Sequence, residues 1–248
     1  MSRLDELKDF VTEGRGVRPV EEGIYTVLPE GARAAHPYDR RAGVYDALVA
    51  TRLYNRVMWG ASPEDYAAFA RRAVDAHTEG WMLDAACGSM LFTARAYAET
   101  GRRVVAFDQS LRMLRRARER LRRLCGGRPC ASVLLLQADL SDLPFRPASF
   151  QTILCMNVLH QFADAAGLIP KLDSLLAEGG RLHLTSLVSN RRFIGDRYLD
   201  ALHRAGEFVR PRRSFEFEKL LRGALNGSVS YATRGNMAFA TSERRMPA

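Results

Sequence analysis

The stretch DAACGSM, Asp84–Met90, follows the apolar run Trp81-Met82-Leu83 and leads into Leu91-Phe92-Thr93-Ala94-Arg95-Ala96. An acidic residue, two small residues and one glycine between a strand pattern and a helix pattern suit a backbone that turns tightly under a ligand. A dinucleotide-binding loop carries two or three glycines here, so that a pyrophosphate can rest on backbone N–H groups. This loop has only Gly88. Alone it reads either as a nucleoside-binding turn or as a plain strand-to-helix connection, and the surrounding sequence must decide.

From Trp81 onward strand and helix patterns alternate, the mark of a parallel α/β sheet. Strands are expected at 82–86, 103–107, 132–137, 151–156 and 181–187. Helices are expected at 91–100, closed by Gly101, from Ser110 to the break at Gly126-Gly127, and at 168–177 with Pro170 in the first turn. Glu178-Gly179-Gly180 reads as a turn. Further helices fall at 193–206 and 214–225, the second capped by Ser214. A hairpin at 228–232 and 237–241 then encloses Thr233-Arg234-Gly235-Asn236. Before Trp81, residues 1–35 are weakly patterned, with a short strand at 24–28. Residues 38–78 hold two helices around a bend at 60–63, Ser62 and Pro63 forming a helix start. The expected organisation is an N-terminal extension with a helical lid, 1–78, and a Rossmann-like doubly wound domain, 79–248.

A chain of 248 residues with 47% hydrophobic and 26% charged residues can bury a large core. No apolar stretch approaches the roughly 20 residues that cross a bilayer. The charged start Met1-Ser2-Arg3-Leu4-Asp5 has no apolar signal region. A cytoplasmic location and no membrane partner are the expectations. Cys87, Cys125, Cys130 and Cys155 form no disulfide framework, and the Cys125/Cys130 spacing lacks a second ligand pair, so no metal is expected. The net charge of +9 raises nucleic acid as a partner. The densest arginine run, 112–124, nevertheless has apolar residues at 114, 117, 121 and 124 on one helical face, which leaves its arginines as a solvated face. Nucleic acid is not the expected partner.

In doubly wound sheets ligands bind outside the carboxyl ends of the strands. The polar residues there are Asp84, Asp108-Gln109, Asp139 and Asn157 to His160. Asp108 either accepts hydrogen bonds from both hydroxyls of a ribose or caps the following helix. Asp139 either meets an adenine amino group or closes its loop. Asp84 either orders the glycine loop or holds a cationic ligand end.

Three segments in order, MLDAACGSMLFTARAYAETGRRVVAFDQSLRMLRRARERL, LQADLSDLPFRPASFQTILCMNVLHQF and LAEGGRLHL, resemble the successive motifs of class I S-adenosylmethionine-dependent methyltransferases, over about residues 80 to 190. The resemblance implies a mostly parallel sheet with an antiparallel last strand, and S-adenosylmethionine as cofactor. It implies that Asp84, Ala85, Ala86, Cys87, Gly88 and Met90 wrap the methionine part. Asp108 would bind the ribose, Gln109 would lie against the adenine, and Asp139 and Leu140 would hold the adenine edge. Asn157 and Val158 would approach the amino-acid moiety. The stretch Asn157-Val158-Leu159-His160 is similar to the group acting on small molecules and lacks the Asn/Asp-Pro-Pro-aromatic pattern of base-modifying relatives. EEGIYTVLPEG resembles the last strand of a zinc-ribbon-like domain without its cysteines. YDALVATRLYNRVMWG resembles the lid found before the first motif, with Tyr45 over the cofactor and Tyr54 and Trp59 as a substrate wall.

His160 stands just past the fourth strand and, with an unperturbed pKa of about 6.5, is the candidate general base. His36, near the lid, is a second candidate for the substrate side. The expected function is methyl transfer to a small, partly apolar acceptor such as a phenol or quinone-like ring. The alternatives are RNA methylation on the arginine face, or cofactor binding without methyl transfer. Oligomeric state stays open, a homodimer included.

Overall fold

The structure, a computed structural model, describes residues 2–29, 51–206 and 208–244. Among these, nine strands form one sheet: β1 (Arg18–Glu21), β2 (Ile24–Thr26), β3 (Met82–Ala85), β4 (Val104–Asp108), β5 (Val133–Gln137), β6 (Phe150–Cys155), β7 (Leu176–Leu187), β8 (Ser228–Arg234) and β9 (Met237–Glu243). Their order is β1-β2-β5-β4-β3-β6-β7-β9-β8. Strands β2 to β7 run parallel to one another, while β1 pairs antiparallel with β2, and β9 antiparallel with β7 and with β8. The chain order reverses between β3 and β6, which creates the crevice where such sheets bind ligands.

The central strands are apolar on both faces because both faces are covered. In β4, Val104 and Ala106 join the cluster on one side, while Val105 and Phe107 join the other. The first side carries α2 (Pro63–Asp75), α3 (Ala94–Thr100), α4 (Leu111–Leu124) and α6 (Phe193–Arg204). The second carries α1 (Arg3–Phe10), α5 (Ala165–Ser174) and α7 (Ser214–Ala224). Helix α2 starts as its sequence dictates: the Asp65 N–H donates to Ser62 Oγ, the Ser62 N–H donates to Asp65 Oδ2, and Pro63 is the first helical residue. Before it, the turn Arg52–Tyr54 widens into a π-helical turn, Asn55–Trp59, closed by the Gly60 N–H donating to the Asn55 carbonyl at 2.8 Å.

Three local expectations change. Helix α5 begins three residues early because Asp164 accepts from the Gly167 N–H at 2.8 Å, which places Pro170 inside the helix. Strand β7 runs through Glu178-Gly179-Gly180, where Gly179 at φ 69° and a register shift opposite β6 make a bulge in place of a turn. Helix α7 has Arg213, not Ser214, as its cap residue.

The weakly patterned N-terminus is the largest surprise. Strand β2 pairs in parallel with β5, and β1 folds back on β2 as a hairpin. Helix α1 sends Leu7 and Phe10 into the main core, where Phe10 stacks on Phe150 at 5.3 Å and meets Trp81 edge-on at 4.9 Å. The boundary drawn at residue 78 therefore does not separate two cores. The arginine face of α4 is partly used to hold this hairpin. Arg115 and Arg118 both pair with Glu21, and Arg118 donates to the Glu22 carbonyl at 2.8 Å.

Emptying the Phe10 site leaves an apolar cavity between α1 and the sheet. Phe10→Ala is expected to cost about 3–5 kcal/mol, read as a lowered urea midpoint with an unchanged slope. A shift below 1 kcal/mol would show the N-terminal helix to be dispensable.

Candidate functional site

The loop after β3 alternates its backbone conformation. Ala86 at φ 56°, Gly88 at φ 52° and Met90 at φ 55° are left-handed. Only Gly88 adopts this without steric cost; a side-chain-bearing residue loses roughly 1–2 kcal/mol there. The conformation is held from three sides. The Cys87 N–H donates to the Phe107 carbonyl at 2.9 Å, the Gly88 N–H donates to Asp108 Oδ2 at 2.8 Å, and the Arg120 guanidinium donates to the Ser89 carbonyl. Met90 contributes backbone to the cavity rim while its side chain is buried in the α2/α3 core cluster. Space beside Gly88 is open, so the turn presents bare backbone to the crevice.

That crevice is lined by Asp84, Ala86–Thr93, Phe107–Ser110, Met113, Asp139, Leu140, Met156–Val158, Gln161 and Phe162. It gathers most of the residues expected from the strand ends. Asp108 lies at its wall, its Oδ1 accepting from the Ser110 N–H at 2.9 Å. Ser110, not Asp108, caps α4 through its hydroxyl, which accepts from the Met113 N–H. Gln109 donates to Asp139 Oδ2 at 3.3 Å, and Asp139 Oδ1 accepts from the Ser141 N–H and hydroxyl. Asn157, left-handed at φ 56°, is locked to β7: its N–H donates to Thr185 Oγ1, whose hydroxyl donates to Asn157 Oδ1 at 2.8 Å.

Asp84 is buried at the floor of the cavity, its Oδ2 accepting from the Tyr97 hydroxyl at 2.8 Å. Burial pushes its carboxyl up to about 7, and the Tyr97 hydrogen bond partly opposes that rise. Such a group sits near its midpoint at neutral pH. Tyr97 and Arg120 were missed by the sequence reading because both sit on helix faces that look structural. The signal was spacing: each lies where its helix passes under the loop. Phe92, Met113, Met156 and Phe162 were also missed, since apolar residues beside a strand end look like core, and so was the polar Gln161.

Several expectations are corrected. Ala85 points its methyl into the core on the opposite side of the sheet and is absent from the crevice lining. His160 also lies outside that lining. Its ring packs edge-on against Phe208 at 4.6 Å, and its Nδ1 faces the Leu187 N–H at 3.5 Å. Burial, aided by the charge of Arg212, pushes its pKa down to about 3, so the ring stays neutral and is a poor proton acceptor. Tyr54 and Trp59 pack with Tyr198 of α6, at 6.5 and 5.3 Å, in an aromatic cluster away from the crevice. Tyr45 and His36 lie outside the described residues.

A family described as "Methyltransferase domain" matches residues 83–184, from β3 to β7. That segment is less than half of the chain. Demethylmenaquinone methyltransferase of Tropheryma whipplei is 32% identical over 117 residues, 47% of this chain and 46% of that protein. Ubiquinone biosynthesis O-methyltransferase of Idiomarina loihiensis is 29% identical over 121 residues, 47% of this chain and 48% of that one. The chain thus matches less than half the length of these relatives. Among solved structures, the YcgJ protein of Bacillus subtilis superposes with a TM-score of 0.60 at 14% identity, covering 74% of this chain and all of that one. An O-methyltransferase family 2 protein of Planctomyces limnophilus, in complex with apigenin, gives 0.61 at 24% identity, covering 86% of this chain and 63% of that one. These likenesses show the methyltransferase fold. The β1–β2 hairpin and α1 lie outside the family match.

The Asp84 carboxyl titrates near its ordinary 3.8 when unfolded and at about 7 when folded. Its ionisation therefore opposes folding, and the stability it contributes at low pH is lost as pH rises through that window. Wild type is expected to lose stability relative to Asp84→Asn between pH 4 and pH 8, by at most about 4 kcal/mol. Parallel urea-unfolding curves across that range would exclude a raised carboxyl.

Proposed function

We propose that this chain is an S-adenosylmethionine-dependent methyltransferase acting on a small, partly apolar acceptor of the phenol or quinone-ring class. The observation that carries the reading is the pairing of Asp108 with the left-handed loop: a carboxylate and a bare backbone turn face one crevice at the sheet's switch point. The donor set suits the cofactor. Asp108 accepts from the Gly88 and Ser110 N–H groups at the crevice wall, the strand-end position from which a carboxylate can meet a vicinal diol. Gln109, Asp139 and Leu140 offer a polar and an apolar edge to a purine, and the buried Asp84 offers a carboxylate to an ammonium. The named activities of the quinone-pathway relatives support the acceptor class.

S-adenosylmethionine, when bound, supplies an electrophilic methyl on a good leaving group. The residues of this chain do the rest by holding, aligning and excluding water. Phe92, Met113, Met156, Val158 and Phe162 give the crevice apolar walls that favour a flat, apolar ring and keep water out. Asn157, fixed by Thr185, sets the path of the chain that carries Met156 and Val158 to the crevice. Among the described lining residues there is no histidine or lysine. The reading therefore favours acceptors whose oxygen or carbon ionises near neutrality without a dedicated base, as an acidic phenol or hydroxyquinone does.

Calorimetric titration tests the cofactor. Asp108→Ala should weaken S-adenosylmethionine binding at least tenfold, about 1.4 kcal/mol or more; equal affinity, or no binding by wild type, removes the assignment. A panel of phenolic and quinol acceptors, assayed by S-adenosylhomocysteine formation, tests the reaction. In that assay His160→Gln should keep kcat within about threefold, since the ring acts as packing; a loss of about a hundredfold or more, typical of removing a general base, would return it to the chemistry.

A further inference from the structure

Large apolar side chains on the surface of a folded domain are ordinary when scattered and informative when gathered beside like charges. Two elements outside the crevice lining gather them here. Leu53 and Val57, about one turn apart before α2, are 72% and 40% exposed, and Phe193 and Ile194, at the start of α6, are 76% and 53% exposed. The two elements touch. The Arg192 guanidinium donates to the carbonyls of Arg56 and Val57, each at 3.3 Å, and Gly195 packs so closely on the Met58 carbonyl that a β-carbon there would collide with it. The contact places the two segments that carry the exposed pairs against each other, as one rim.

The charges on that rim are mostly of one sign. Arg52, Arg56, Arg191 and Arg197 are exposed on it, and Arg197 lies over the Phe193 ring at 5.5 Å. Of the acids on the same elements, Asp196 is turned inward onto the Asn190 N–H and the Asn236 amide, and Glu64 pairs with Arg52. Asp200 is exposed two turns further along α6. Apolar side chains ringed by arginines, whose aliphatic stems extend the apolar surface and whose guanidinium groups reach outward, match the headgroup region of an anionic bilayer. A two-fold contact between copies would bring the same arginines together and is disfavoured by their repulsion.

We propose that this rim, Leu53, Val57, Phe193 and Ile194 with Arg56 and Arg191, docks the protein onto an anionic phospholipid surface. The expectation of no membrane partner rested on the lack of a spanning segment, and the described residues indeed include no helix long and apolar enough to cross a bilayer. Interfacial docking needs none, because a few side chains enter only the headgroup boundary. The proposal stands on the surface alone and is independent of the reaction in the crevice.

Flotation with vesicles decides it. Wild type should rise with vesicles of phosphatidylcholine and phosphatidylglycerol, and less so as sodium chloride is added. It should stay at the bottom with phosphatidylcholine alone. The double variant Phe193→Ser/Ile194→Ser should lose about tenfold or more in partitioning, and Arg56→Glu/Arg191→Glu should abolish the response to anionic lipid. Circular dichroism melting checks that these exposed substitutions leave the fold intact. Failure of wild type to float, flotation indifferent to lipid charge, or a double variant that floats like wild type would overturn the proposal. So would a wild-type dimer on gel filtration that the double variant dissolves, since that result assigns the rim to a second copy.

Discussion

The hydrogen bond from the Gly88 N–H to the Asp108 carboxylate joins the ends of two neighbouring strands, β3 and β4, across the crevice floor. It forms only if the loop after β3 enters the left-handed region, and the loop enters that region three times within five residues. Two of those residues carry side chains and pay a steric cost that a glycine would avoid. The cost is met by surrounding structure that leaves the loop no alternative: Phe107 and Asp108 accept its N–H groups, Arg120 donates to its carbonyl, and the Met90 side chain is anchored in the core. Strain at a turn that faces a cavity is a common signature of a binding site, because a relaxed loop would present side chains where backbone is needed.

The same arrangement explains why the acidic groups of the site differ. Asp84 and Asp108 both line the crevice; Asp84 is buried beside the Tyr97 and Thr93 hydroxyls, with a raised carboxyl. Asp108 accepts from two backbone N–H groups. One carboxylate is held by backbone N–H groups; the other is buried and raised. Asp139, braced by Ser141 and Gln109, completes a wall on which hydrogen-bond acceptors are preformed rather than recruited.

Much of this was legible in the sequence because central parallel strands must be apolar on both faces, and their carboxyl ends are then the only places for polar residues to matter. That logic located Asp84, Asp108, Asp139 and Asn157 correctly on the crevice. It failed for His160 and Ala85, because position at a strand end does not say which side of the chain faces the cavity. It failed for β7, where Gly179 and Gly180 hide a bulge inside a strand, and for α5, where the Asp164 cap overrides the helix-start signal of Pro170. Tyr54 and Trp59 were recognised as aromatic and near the lid, but their partner Tyr198 lies far along the chain, and no local pattern reveals such a contact. The N-terminal hairpin was hardest to see: its strands are short, and what holds them is β5 and the arginines of α4, both distant in sequence.

That hairpin has a consequence for what counts as a minimal unit. Strand β5 would be the open margin of the parallel sheet if β2 were removed, and an uncovered strand of Val133, Leu134, Leu135 and Leu136 is a template for pairing with any other extended chain. The family-matched segment begins at residue 83 and leaves β1 and β2 out. Trimmed to that segment, the sheet would lose the cover of β2 on one margin and of β9 on the other. The span that resemblance marks out and the span whose β5 edge is covered are different lengths of the same chain.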